Sequence, residues 1–170
     1  MTTKFSRIAI IGMSGSGKST VSRIIAEKTG LPLFHMDGLF WKGNWEAIPE
    51  DIYVESHKKL IEKDNWIIEG YIDDKMANRF ERADLVLYLD YSRLLCFWRV
   101  ILRWIQHRKE SRPELPKEAL ETFSCNLLWT VLKRGERGCI ESALNMVKPE
   151  YIVRVHSPKE LDRFIGSEIK

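Results

Sequence analysis

Ile8-Ala9-Ile10-Ile11-Gly12-Met13-Ser14-Gly15-Ser16-Gly17-Lys18-Ser19-Thr20-Val21 is the stretch whose reading decides the fold. Residues 12–19 fit G-x-x-x-x-G-K-[ST], the phosphate-binding loop of nucleoside-triphosphate enzymes. The setting suits the chemistry. An apolar β-branched run leads in, and a helical pattern at Val21, Ile24 and Ile25 leads out. Glycines let backbone N–H groups curl round phosphate oxygens, and the new helix turns its positive end toward them. Lys18 can reach the β- and γ-phosphates, and the Ser19 hydroxyl can bind Mg²⁺. Gly12, Ser14, Gly15, Ser16, Gly17, Lys18, Ser19 and Thr20 are therefore the candidate nucleotide contacts.

Outward from this loop, strands and helices alternate to the end of the chain. Residues 8–11 read as strand one. Residues 18–29 read as a helix stopped by Gly30 and Pro32. Leu33-Phe34-His35 is a short second strand, and Pro49 opens a helix to about Lys63. Residues 66–68 form strand three, 73–82 a short helix, and 85–89 strand four, apolar throughout as a doubly covered strand should be. A helix follows over 91–107. Pro113 and Pro116 then break the chain before a long helical region over about 117–147, interrupted near Gly135 and Gly138. Residues 151–155 are strand five, and Ser157-Pro158 caps a last helix. The order predicts one α/β domain over 1–170, a parallel sheet with helices on both faces and ligands at the carboxyl ends of the strands.

Three of those strand ends carry a carboxylate: Asp37, Glu69 and Asp90. A Mg²⁺–triphosphate site needs an acidic group to hold the metal's waters, and a transfer reaction needs a base beside the acceptor. Asp37 is the candidate base. Gly38 beside it leaves room for a second ligand, and Phe40, Trp41 and Trp45 either line an acceptor pocket or pack as core. Glu69, with Ser19, is the candidate metal site. Asp90 ranks last, since it could simply cap the next helix.

Arg99, Arg103 and His107 recur at i, i+4 and i+8, opposite an apolar face of Leu94, Leu95, Trp98, Ile101, Leu102 and Ile105. A basic stripe is ordinarily a wet face. Here it runs into the proline-broken segment, where arginines on a mobile lid could neutralise a transferring phosphoryl group and exclude water. Arg99 and Arg103 are the first candidates, and Arg103 is assigned to catalysis. Arg112, Arg134 and Arg137 follow unranked.

Bulk properties bound the rest. At 170 residues, 44% hydrophobic and 30% charged, the composition is that of an ordinary globular domain. A net charge of +3 does not by itself indicate a nucleic-acid partner. Cys96, Cys125 and Cys139 form no C-x-x-C pair, which predicts free thiols and a reducing, cytoplasmic setting. The polar start and short first apolar run predict neither a signal peptide nor a membrane span. Phe123 and Trp129 on the long helix could be core or a contact between copies, so the oligomeric state stays open.

Four stretches together resemble a known family: Ile11 to Thr20, Leu31 to Asp37 with Phe40-Trp41, Trp66 to Tyr71, and Ala83 to Asp90. The chain resembles P-loop kinases of the adenylate-kinase type, and among them the small proteins labelled DNA topology modulation proteins. The likeness is dense in the first half and thins to scattered positions between Arg108 and Lys148. It implies a three-layer α/β/α fold, a five-stranded sheet of order 2-3-1-4-5, a short helical lid within about 104–138, and ATP with Mg²⁺. It also implies that the Arg99/Arg103 pair lies by the adenine and the phosphates. Two features depart from the pattern. Glu69 stands where Asp is usual, and the Phe-Pro-Arg of true adenylate kinases is missing after Gly70, which argues against AMP as acceptor. The expectation is a small-molecule kinase, nucleoside- or nucleotide-kinase-like, with a nucleotide-dependent regulatory ATPase or a DNA-associated regulator as alternatives.

Overall fold

Strand β1 (Arg7–Gly12) lies at the centre of the computed structural model, which describes residues 4–116, 118–120, 122–147 and 149–169. It pairs in parallel with β3 (Trp66–Glu69) on one side and β4 (Leu85–Leu89) on the other. β2 (Leu33–His35) and β5 (Ile152–Val155) complete a five-stranded sheet of order β2-β3-β1-β4-β5. The period-two alternation of β1 divides the core. Ile8 and Ile10 point into one apolar cluster, with Val21 and Ile25 of α1 (Lys18–Thr29), Cys96 and Val100 of α5 (Arg93–His107), Val131 of α6 (Cys125–Lys133) and Leu161 and Ile165 of α8 (Pro158–Glu168). Ala9 and Ile11 point into the other. There they meet Met36 of α2 (Met36–Phe40), Tyr53 and Ile61 of α3 (Glu50–Ile61), Phe80 of α4 (Asn78–Arg82) and Ile140 and Ala143 of α7 (Gly135–Val147). The three-layer α/β/α arrangement follows from that split.

Several expectations need correction. The region 73–82 is a 3₁₀ turn over Asp74–Met76 followed by α4, with the Asp73 carboxylate accepting from the Lys75 and Met76 amides. The long helix expected over 117–147 begins only at Cys125, where the Ser124 hydroxyl caps it (Lys117 lies outside the described residues). Its interruption does fall next to Gly135, at Arg134, a left-handed residue at φ 55°, while Gly138 lies inside α7. This break is where the chain passes from the α6 side of the sheet to the α7 side.

Helix α5 also differs from its periodicity. Cys96 and Val100 are its buried positions, while Leu94, Trp98, Leu102 and Ile105 of the expected apolar face are 62%, 60%, 52% and 48% exposed. The core takes the residues nearer the phosphate loop, so most of the expected apolar face lies outward. Phe123 and Trp129 are exposed too, with Phe123 edge-on to Trp104. All three cysteines are free thiols, Cys96 buried and the other two exposed. Among the described residues, no helix is long and apolar enough to cross a membrane.

Candidate active site

The phosphate loop joins β1 to α1 at the carboxyl edge of the sheet. Gly15 has φ +79°, and a Cβ there would stand 2.3 Å from the Cys96 carbonyl oxygen, so only glycine lets the loop pass this close to α5. No side chain caps α1, and its first turn holds no acidic residue, which leaves its positive end for an anion. Lys18 Nζ donates to the carbonyls of Gly12 at 3.0 Å and Met13 at 3.3 Å, and so lies across the loop mouth. These residues fit a nucleoside triphosphate.

The neighbouring strands bring two carboxylates to the same edge. Register pairs Glu69 with Ile10 and with His35. Oε1 of Glu69 accepts from the Ser19 hydroxyl at 3.1 Å and from His35 Nδ1 at 2.6 Å. Burial alone would raise the Glu69 pKa. The His35 hydrogen bond and the Lys18 charge outweigh it and hold the carboxyl below its usual range. Ser19 and Glu69 thus present an ionised oxygen beside a hydroxyl, a donor set suited to Mg²⁺ that keeps most of its waters. Asp37 is pushed the other way. Burial raises its pKa, Lys18 opposes, Glu69 adds to the rise, and Arg112 and Arg103 oppose.

Two cavities open here. One, of about 560 Å³, runs along the phosphate loop and is flanked by Lys18, Arg23, Arg99 and His107. The other, of about 790 Å³, is walled by Phe40, Trp41, Trp45, Tyr53 and Tyr71. Phe40 meets Trp41 and Tyr53 edge-on, at 4.6 and 4.9 Å between centroids. Four residues line both cavities: Ser14, Asp37, Arg103 and Arg112. Sequence reading named all four as candidates, Arg112 unranked, and offered Phe40, Trp41 and Trp45 among the aromatics but not Tyr53 or Tyr71. It misplaced the space beside Gly38, which the Glu114 carbonyl takes: a Cβ on Gly38 would lie 2.3 Å from that oxygen. Glu114 in turn holds Arg112 at 3.3 Å and Arg23 at 3.6 Å.

The arginines separate into three groups. Arg99 donates to the Ser16 carbonyl at 3.0 Å and lies over the Tyr91 ring, so it braces the loop. Arg103 and Arg112 face the junction. Arg134 and Arg137 are held elsewhere, on the two oxygens of Asp90 at 2.6 and 3.0 Å, with Arg154 at 3.7 Å. Asp90 is therefore an ion-pair anchor, and the helix cap assigned to it belongs to Ser92. His35 and Glu136 were missed as site residues. His35 carried a signal, since it alternates with the Asp37 segment at a strand end. Glu136 carried none.

The sequence matches no family model and no curated protein. Solved structures do match over nearly the whole chain. A shikimate kinase from Acinetobacter baumannii in complex with shikimate aligns with TM-score 0.61 at 17% identity, over 98% of this chain and 97% of that one. The fold is that of the P-loop kinases. A shikimate kinase from Aquifex aeolicus aligns with TM-score 0.55 at 20% identity, covering 95% of each chain. A sugar kinase from Janibacter sp. aligns with TM-score 0.54 at 15% identity, over 94% of this chain and 91% of that one.

Proposed function

We propose that this chain is an ATP-dependent phosphotransferase that moves the γ-phosphoryl group to a hydroxyl of a small, ring-bearing acceptor. The observation that carries the reading is the meeting of a phosphate-loop cavity and an aromatic cavity at Ser14, Asp37, Arg103 and Arg112. In-line transfer needs donor and acceptor on opposite sides of one phosphorus, and a two-cavity junction supplies that arrangement. The donor phosphates lie along the loop amides and Lys18, with Arg99 bracing the loop.

Ser19 and Glu69 would hold Mg²⁺, which when bound neutralises charge on the phosphate oxygens. Arg103 and Arg112 act on the charge that spreads over the equatorial oxygens of the transferring group. Asp37 accepts the acceptor hydroxyl's proton as that oxygen bonds to phosphorus and the bond to the ADP oxygen breaks. Its burial-raised pKa makes it a better base at neutral pH than a solvated Asp. We place the lid within residues 104–138, with Arg112 as the part that reaches the junction.

The aromatic walls favour an acceptor with a planar ring, as in a nucleoside. The charges of Glu50 and Lys75 on that side pair with each other, leaving less for an anionic acceptor. The test is ADP formation from ATP and Mg²⁺ with a panel of nucleosides, hydroxylated aromatics, sugars and shikimate, against Lys18→Ala. A ring-bearing acceptor that raises ADP formation in wild type alone is the expected result. No acceptor above the Lys18→Ala background removes the reading.

A further inference from the structure

The carboxylate of Glu136 lies on the phosphate loop, although 122 residues separate it from Ser14 in the chain. Its Oε2 accepts from the Ser14 amide at 2.6 Å and its Oε1 from the Ser14 hydroxyl at 2.6 Å. Both bonds are short and charge-assisted, the strong kind. Nor is the carboxylate on a loose surface arm. The chain crosses the carboxyl edge of the sheet at Arg134, whose backbone is left-handed (φ 55°), a conformation a non-glycine residue adopts only at a cost. Arg134 and Arg137, on either side of Glu136, are fixed on Asp90 at 2.6 and 3.0 Å. Asp90 itself follows directly on β4, whose last residue pairs with Gly12. The anchor therefore sets the position of Glu136 relative to the loop.

Ser14 is the loop residue shared with the acceptor cavity. The phosphoryl group transferred must lie at that end of the loop, next to the acceptor. An anionic phosphate oxygen and an anionic carboxylate cannot share the same N–H and O–H. We infer that Glu136 is a donor-specificity residue: its carboxylate takes the Ser14 donors that the terminal phosphate of a triphosphate would use, so triphosphate must displace it while diphosphate need not. The inference rests on the donor reading above. Glu136 lowers the affinity for ATP selectively and narrows its advantage over ADP.

Calorimetric titration with Mg²⁺ and either ADP or a non-hydrolysable ATP analogue tests this in wild type, Glu136→Ala and Glu136→Gln. Loss of two charge-assisted competing bonds should tighten the analogue about tenfold or more in Glu136→Ala, with ADP moving less than about threefold. Glu136→Gln keeps an acceptor oxygen without the charge and should fall between. It also carries the comparison if the alanine variant fails to fold. Equal changes for the two nucleotides, or weaker binding of the analogue, overturn the inference and make Glu136 a support for the loop. That failure is distinct from failure of the donor reading, in which wild type itself shows no nucleotide binding that Lys18→Ala abolishes.

Discussion

Gly38→Ala sets two opposed effects against each other. Gly38 lies in α2 outside the left-handed region, so alanine costs no backbone strain there. By propensity alone it would stabilise a helix by up to about 1 kcal/mol. Its Cβ, however, would lie 2.3 Å from the Glu114 carbonyl oxygen, where ordinary contact begins at 3.4 Å, so that backbone must retreat by 1.1 Å (3.4 − 2.3). Overpacking of this kind costs about 1–3 kcal/mol. The net expectation is a loss of about 1–2 kcal/mol, or a Tm lower by about 3–6 °C for a chain of this length. Gly138 is the internal control. It is also helical, but nothing lies within 4 Å of its would-be Cβ. Gly138→Ala should raise the Tm by about 1–4 °C. Differential scanning calorimetry of both variants reads the difference. Because the obstacle is a carbonyl, adding Glu114→Ala should not rescue Gly38→Ala. A Tm for Gly38→Ala at or above wild type would refute the placement of residues 112–116 against α2. The same 1 Å retreat moves Arg112 off the junction, a displacement worth about 10²-fold in rate.

Asp37→Asn should lower kcat by about 10²–10⁴ with ATP affinity unchanged, read by ADP release once an acceptor is found. In wild type the acid limb of kcat/KM should lie above the ordinary Asp value of 3.8, because the raised pKa protonates the base earlier as pH falls. The same variant should raise Tm at pH 7.5 more than at pH 4, since a raised carboxyl pKa destabilises the fold above its folded value and ceases to do so below its unfolded one. His57 is buried, accepts from Arg79 Nε at 3.1 Å, and has its pKa pushed down to about 3 from 6.5, by burial first and then by the Arg79 charge. A depressed histidine costs stability as pH falls from its unfolded value toward its folded one. Urea-unfolding free energies should therefore drop by about 1.4 kcal/mol per pH unit below 6.5, and His57→Gln should flatten that slope. Asp90→Asn should destabilise by about 3 kcal/mol, the low end for a broken buried pair because its arginines are a third exposed, measured by chemical denaturation.

The phosphate loop, the four strand and helix spans nearest it, and the carboxylates at Asp37 and Glu69 were legible in the sequence because each is a local matter. A turn of glycines between a β-branched run and a helix, or an acid two residues past a strand, declares itself within a dozen positions. Strand order came through resemblance, and the sheet has that order. The second half was read less well, for a physical reason. Periodicity on α5 gives a stripe but not which side of it meets the loop, so four residues of its apolar face are exposed. Arg112, Arg134 and Arg137 look alike as residue types, yet Arg112 faces the junction and the other two are spent on Asp90. Room beside Gly38 was inferred from a missing side chain, and a backbone carbonyl from a distant segment fills it. Glu136 is the extreme case, because its role exists only where the chain recrosses the sheet edge and brings α7 onto a loop 122 residues earlier. The sequence by itself determined a glycine loop between strand and helix that is shaped to take phosphates, because that loop is made between near neighbours in the chain. Which charges face the junction of the two cavities, and which are consumed in holding the fold, was decided by long-range packing at the carboxyl ends of the strands.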